Sequence, residues 1–324
     1  MSELPEAIHA FLGHAGWAGA AIEPLPGDAS FRRYFRIRDG ERTAMLMDAP
    51  PPNEDPGPFL HATRWLTDQG HRAPQIHAED RARGLVLMED FGNDRMRDWL
   101  DEHPEAEVAT YRTAIDALVR LHASPPGPFD RYDMAVYSRE AGLLTEWYCP
   151  LAGLAVDAAG YAAAWEEVLV PMLERQVPGV TVLRDYHAEN IMLLPGEEQG
   201  LIDYQDALVG HPAYDLVSLL QDARRDVSPQ LERAMLDHYG AQVDAGPEFM
   251  ADYARLGAQR NAKIVGIFAR LWKRDGKPRY FDFIPRVWDA LERDLVHPAL
   301  TPVARWFAVN IPQHIRDRRG GGLG

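Results

Sequence analysis

Residues 183–205 read L-R-D-Y-H-A-E-N-I-M-L-L-P-G-E-E-Q-G-L-I-D-Y-Q, and the order of polar groups and apolar runs in this stretch decides the reading of the whole chain. Residues 191–194 and 200–203 are short apolar runs separated by the turn-forming stretch 195–199, the pattern of a β-hairpin. Asp185 stands before the first run, Asn190 at its entrance and Asp203 at the end of the second. Phosphoryl transfer from a nucleoside triphosphate needs a carboxylate to orient the attacking hydroxyl and hard oxygen ligands for magnesium. In that reading Asp185 takes the hydroxyl proton, while Asn190 and Asp203 hold the metal. The D-x-x-x-x-N spacing alone is a weak signal, and the hairpin behind it makes the signal stronger. The competing reading is an Asp185 turn cap and an Asp203 at a solvated strand end.

Working outward, residues before about 88 carry mostly strand signals. Residues 34–38 alternate, with Phe35 and Ile37 on one face, and 43–48 and 85–88 are short apolar runs. A helix is expected over 59–69, closed by Gly70. After residue 88 the periodicity is helical. Tyr111, Ile115 and Leu118 share one helical face, and Tyr253, Leu256, Arg260, Ile264 and Phe268 share another. The expected fold is therefore α+β and bilobal, protein-kinase-like, with a small sheet-rich lobe over 1–90 and a larger helical lobe over 91–315. The basic, Gly-rich tail 316–324 is expected to be disordered.

Bulk composition narrows the function class. The 324 residues carry a formal net charge of -15, which disfavours nucleic acid and anionic lipid as partners. The one cysteine, Cys149, can make neither an internal disulfide nor a Cys-based metal site. With no signal-peptide pattern and no run long enough to span a bilayer, a cytoplasmic location is expected; a monomer is expected because no exposed apolar heptad or long edge strand stands out.

The run 183–190 together with L-I-D-Y-Q-D (201–206) and G-H-P-A-Y-D-L (210–216) resembles the aminoglycoside phosphotransferase and choline kinase superfamily. The resemblance implies an ATP- and Mg2+-dependent kinase with Asp185 as catalytic base, Asn190 and Asp203 as metal ligands, and Asp215 as a buttress of the catalytic loop. An ordinary first-turn acid after Pro212 is the other reading of Asp215.

For the nucleotide, Gly27, Asp28 and Ser30 lie between two expected strands, where glycine lets the backbone approach phosphate. A plain hairpin turn has the same composition. Glu89 and Phe91 fall in the stretch 87–92, which resembles an inter-lobe linker. One element of the pattern is missing. The strand 43–48 has no lysine to pair with the phosphates. Among Arg32, Arg33 and Arg36, which are close by, Arg33 and Arg36 are taken as substitutes. Three solvated surface arginines are the alternative.

For the acceptor, G-D-A-S-F-R-R-Y-F-R (27–36), the 183–190 run, and Q-R-N-A-K-I-V-G-I-F-A-R-L (259–271) followed by R-D-G-K (274–277) are similar to the bacterial anomeric N-acetylmuramate/N-acetylglucosamine 1-kinases. Such an acceptor needs hydroxyl-binding groups, and Tyr186, His187, Glu189 and Glu146 are the candidates. Arg260 and Lys263 are candidates for an anionic substituent. A kinase of another small alcohol (choline, an aminoglycoside or homoserine) and an inactive kinase-like binding module remain beside this reading.

Overall fold

The structure is a computed structural model, and it describes residues 6–26, 32–196 and 198–322. The chain divides into two compact units, Met1–Trp99 with Glu189–Asp206, and Leu100–Ala188 with Ala207–Gly324.

Strands β1 (Ala21–Pro24), β2 (Arg33–Asp39), β3 (Arg42–Asp48), β4 (Ile76–Asp80) and β5 (Leu85–Met88) form an antiparallel sheet in the first unit, in the order β1-β2-β3-β5-β4. The register sets Phe35 opposite Leu46 and Leu46 opposite Leu87, so alternate residues of β2, β3 and β5 share one face. That face buries Phe35, Ile37, Ala44, Leu46, Leu85 and Leu87 beneath Ile8, Phe11 and Leu12 of the helix Glu6–His14. Each large apolar side chain so buried contributes about 1.5–3 kcal/mol. Arg36, Met45 and Met88 lie in register on the opposite face.

The helix expected over 59–69 runs Gly57–Asp68. It starts early because Asp55 Oδ1 accepts the Gly57 amide at 2.8 Å, and it stops before Gly70, whose φ of 80° is left-handed. Strands β1 and β4 carry too little alternation to stand out in the sequence.

The same unit includes the hairpin of β7 (Ile191–Leu193) and β8 (Gln199–Leu201). This departs from a boundary at residue 90, for a reason visible in the backbone. Leu193 N donates to Asp94 O at 2.7 Å and Leu201 N to Arg72 O at 2.8 Å, stitching the hairpin to chain that precedes residue 99. Phe91 packs against Gly200, where a Cβ would come within 2.5 Å of its ring.

The second unit is mainly helical, with one short pair, β6 (Val180–Val182) and β9 (Leu208–Gly210). The helix Glu107–Ala123 buries Tyr111, Ala114, Ile115, Leu118 and Leu121. The 25-residue helix Phe249–Lys273 is buried along most of its length. Gly266 lets it approach closely, since a Cβ there would meet the Leu143 backbone at 2.3 Å.

The disordered tail is corrected through residue 322. Arg316 pairs with Glu292, Arg319 with Asp289, and Tyr148 Oη donates to Gly320 O at 2.7 Å. Composition alone read the glycines as flexible, yet Gly320 packs on Trp288 where a side chain would not fit. Among the described residues no helix is long and apolar enough to cross a membrane.

Candidate active site

The unit boundary at Ala188/Glu189 falls inside the D-x-x-x-x-N stretch.

In the second unit the backbone around Asp185 is held at several points. Asp215, at 0% exposure, accepts the amides of Leu183 and Arg184 at 2.7 and 2.8 Å. Ser218 Oγ donates to Arg184 O at 3.1 Å and accepts from Arg260 Nη2 at 2.8 Å. Asp222 accepts the Ala188 amide at 3.2 Å. Arg184 has a φ of 70°, a left-handed conformation that a side chain disfavours. The Asp185 side chain itself is 44% exposed. Burial would raise its carboxyl, but Lys263, His187, Arg260 and Arg184 outweigh that and hold it below the usual carboxylate range. Asp185 is therefore ionised at neutral pH.

The other candidates in this unit vary. Arg260 is buried, and its Nη2 lies 3.9 Å from Asp185 Oδ1. Lys263 Nζ sits 3.1 Å from Glu140 Oε1 and 3.3 Å from the Tyr214 hydroxyl. His187 is buried, mainly by which its ring is pushed down to about 4, and it is neutral at pH 7 beside Arg224 Nη1 at 3.3 Å. Glu146 is exposed, on a single π-helical turn, Leu144–Tyr148. Tyr186 is corrected from an acceptor contact to a core residue. It is buried and its hydroxyl donates to Ala114 O at 2.9 Å. Loop position in the sequence does not show which way a side chain turns.

In the first unit Asn190 Nδ2 donates to Asp203 Oδ2 at 3.2 Å, and Gln205 Nε2 to Asp203 Oδ1 at 3.0 Å. Asp203 is exposed, with a left-handed φ of 60° that Asp tolerates better than most residues. The Asn190 amide oxygen and the Asp203 carboxylate make a hard donor set. Among the described residues no cluster of three or more acids, histidines or cysteines could hold a metal by itself. Such a sparse set fits magnesium, which is commonly bound by one or two carboxylates together with substrate phosphates. Glu189 pairs with Arg97.

Gly27, Asp28 and Ser30 lie outside the described residues. Arg33 pairs with Asp48 and is half exposed. Arg36 is corrected. It is buried and committed to the 90–93 segment, with Asp90 at 2.7 Å, Asn93 Oδ1 at 2.7 Å and Gly92 O at 2.8 Å. Glu89 takes the Arg72 guanidinium at 2.7 Å, and that hydrogen bond holds its carboxyl below the usual range. Phe91 lies with Arg72 4.6 Å over its ring. Arg32 has different surroundings. Its Nε meets Glu54 Oε2 at 2.9 Å, largely shielded from solvent, and it lies in the electrostatic field of Asp203. The electrostatic influence of Asp203 on Arg32 has no signal in sequence spacing.

The profile of the phosphotransferase enzyme family matches residues 21–256. The chain belongs to that family. An N-acetylmuramate/N-acetylglucosamine kinase of Caulobacter vibrioides is 38% identical to this phosphotransferase, covering 97% of the chain and 99% of the relative. A protein of the same name from Pseudomonas aeruginosa is 36% identical over 92% of the chain and 91% of the relative. Among solved structures, choline kinase LicA from Streptococcus pneumoniae aligns with a TM-score of 0.63 at 13% identity, over 93% of this chain and 98% of that one. The ADP-bound aminoglycoside phosphotransferase APH(2'')-Ib aligns at 0.60 and 15%, over 94% and 99%. At these identities the structures establish the fold, and it is the expected kinase-like one.

Proposed function

We propose that this phosphotransferase uses ATP and magnesium to phosphorylate the anomeric C1 hydroxyl of N-acetylmuramate, N-acetylglucosamine or both, giving a sugar 1-phosphate for cell-wall recycling. It would act in the cytoplasm as a monomer. The relatives that carry this kinase name at 36–38% identity over nearly their whole length support the amino sugar.

The observation that carries the chemistry is the contrast at Asp185. Its backbone neighbours are fixed by Asp215, Ser218 and Asp222, while its carboxylate stays ionised and 44% exposed. A base held this way can take the proton of an acceptor hydroxyl without first being reoriented. Asn190 and Asp203 would hold magnesium, which when bound neutralises charge on the phosphates. Arg32, fixed by Glu54 and in the field of Asp203, is the cation assigned to the phosphates in place of the missing lysine. Buried Arg260 and partly buried Lys263 act on Asp185 more than on solvent, which leaves exposed Glu146 as the acceptor candidate from that unit.

Phosphorus NMR of the product from ATP and each amino sugar tests the assignment. An anomeric 1-phosphate resonance coupled to H1 is expected. A phosphate on another hydroxyl, or none from either sugar, would overturn it.

A further inference from the structure

Glu140 lies in the last turn of the helix Met134–Ala141 and is 6% exposed. Its Oε1 meets both the Arg184 guanidinium and Lys263 Nζ, the latter at 3.1 Å, and its Oε2 accepts the Tyr132 hydroxyl. Burial alone would raise this carboxyl, but Lys263 and Arg184 outweigh it and keep the group ionised. Burying an ionic cluster is costly, and apolar packing of the same volume is often at least as stable. Stability alone is thus a weak reason for this one.

We propose that Glu140 is a positioning residue for the transfer step, holding Arg184 and Lys263 so that Asp185 keeps its aim. The inference rests on the reading of Asp185 as the base. Arg184 directly precedes Asp185 and holds a left-handed φ of 70°, a conformation that persists only where its surroundings over-determine it. Asp215 takes its amide and Ser218 its carbonyl, and Glu140 takes its side chain, which also lies 5.5 Å over the Tyr132 ring. Loss of the Glu140 anchor lets residue 184 relax and swing the next side chain. Lys263 is the second consequence. It is the leading cation acting on Asp185, and Glu140 is the anion that holds it elsewhere. Without that anion, two partly buried cations would turn to Asp185 and occupy the oxygen that must meet the acceptor hydroxyl.

The test compares Glu140→Gln, Glu140→Asp and Asp185→Asn by steady-state kinetics, melting temperature and affinity for a non-hydrolysable ATP analogue. Glu140→Gln is expected to lose at least about tenfold in kcat, since displacements of order 1 Å can cost about a hundredfold. Its KM for ATP and its analogue affinity should match the parent. Glu140→Asp, which keeps the charge, should recover most of the lost kcat. Parental kcat in Glu140→Gln overturns the proposal. So does a loss that Glu140→Asp shares in full and that follows the fall in melting temperature. If Gln at 140 fails to fold, Arg184→Gln removes the same ion pair and is read in its place, with parental kcat again decisive against. Turnover surviving in Asp185→Asn would instead overturn the base assignment beneath it.

Discussion

Asp215 accepts the Leu183 amide at 2.7 Å while being fully withdrawn from water. Burial raises its carboxyl to about 7, against the two amide hydrogen bonds, which pull it down. The unfolded carboxyl titrates near 3.8, so between these values the folded protein holds a proton that the unfolded chain has released. Stability from this group is complete at low pH, is lost between about 3.8 and 7 by on the order of 1 kcal/mol per pH unit, and changes no further above that. The gap in denaturant-unfolding free energy between the parent and Asp215→Asn should therefore narrow from pH 5 to pH 8. A gap that widens with pH would show that the amide hydrogen bonds win.

Asp203 should govern metal-dependent nucleotide binding. Asp203→Ala is expected to lose most of the magnesium-dependent thermal stabilisation by ATP, and chelation should do the same to the parent protein. Equal shifts with and without magnesium in the parent would remove Asn190 and Asp203 from the metal.

Arg32 and Arg33 are sequence neighbours with different surroundings. Arg32 is shielded and bound to Glu54, whereas Arg33 is half exposed and bound to Asp48. Arg32→Ala should weaken ATP-analogue binding by about 1–3 kcal/mol, the range for a lost charged hydrogen bond, and Arg33→Ala by much less. Calorimetry would reveal the opposite ranking if the assignment is wrong.

Gly200 is needed because of Phe91. A Cβ would sit 2.5 Å from the ring, which Arg72 covers from 4.6 Å. Gly200→Ala should cost about 1–3 kcal/mol by overpacking. Adding Phe91→Ala should cancel part of that cost, giving a coupling in urea unfolding that vanishes if the two do not touch.

The hairpin was legible because its two apolar runs, its turn and its bounding polar residues agree with one another. The inner sheet was legible because Phe35 and Ile37 alternate on a face that is buried. Three-residue strands such as β6 and β9 leave no period to detect. Glu140 reads as an ordinary helical acid, since only long-range packing brings it to Arg184 and Lys263. Tyr186 and Arg36 depart from expectation for the same reason. Spacing placed them near the chemistry, but not that one hydroxyl turns to Ala114 or that one guanidinium is committed to Asp90. The tail departs from expectation because Gly320 serves close contact with Trp288 and not flexibility.

The central claim is that Asp185 is the base, and Asp185→Asn tests it most directly when turnover and nucleotide affinity are measured on the same preparation. The account predicts that kcat falls by roughly 10²–10⁴-fold, the usual contribution of general-base catalysis, with ATP-analogue affinity retained. Parental turnover in that variant would contradict it.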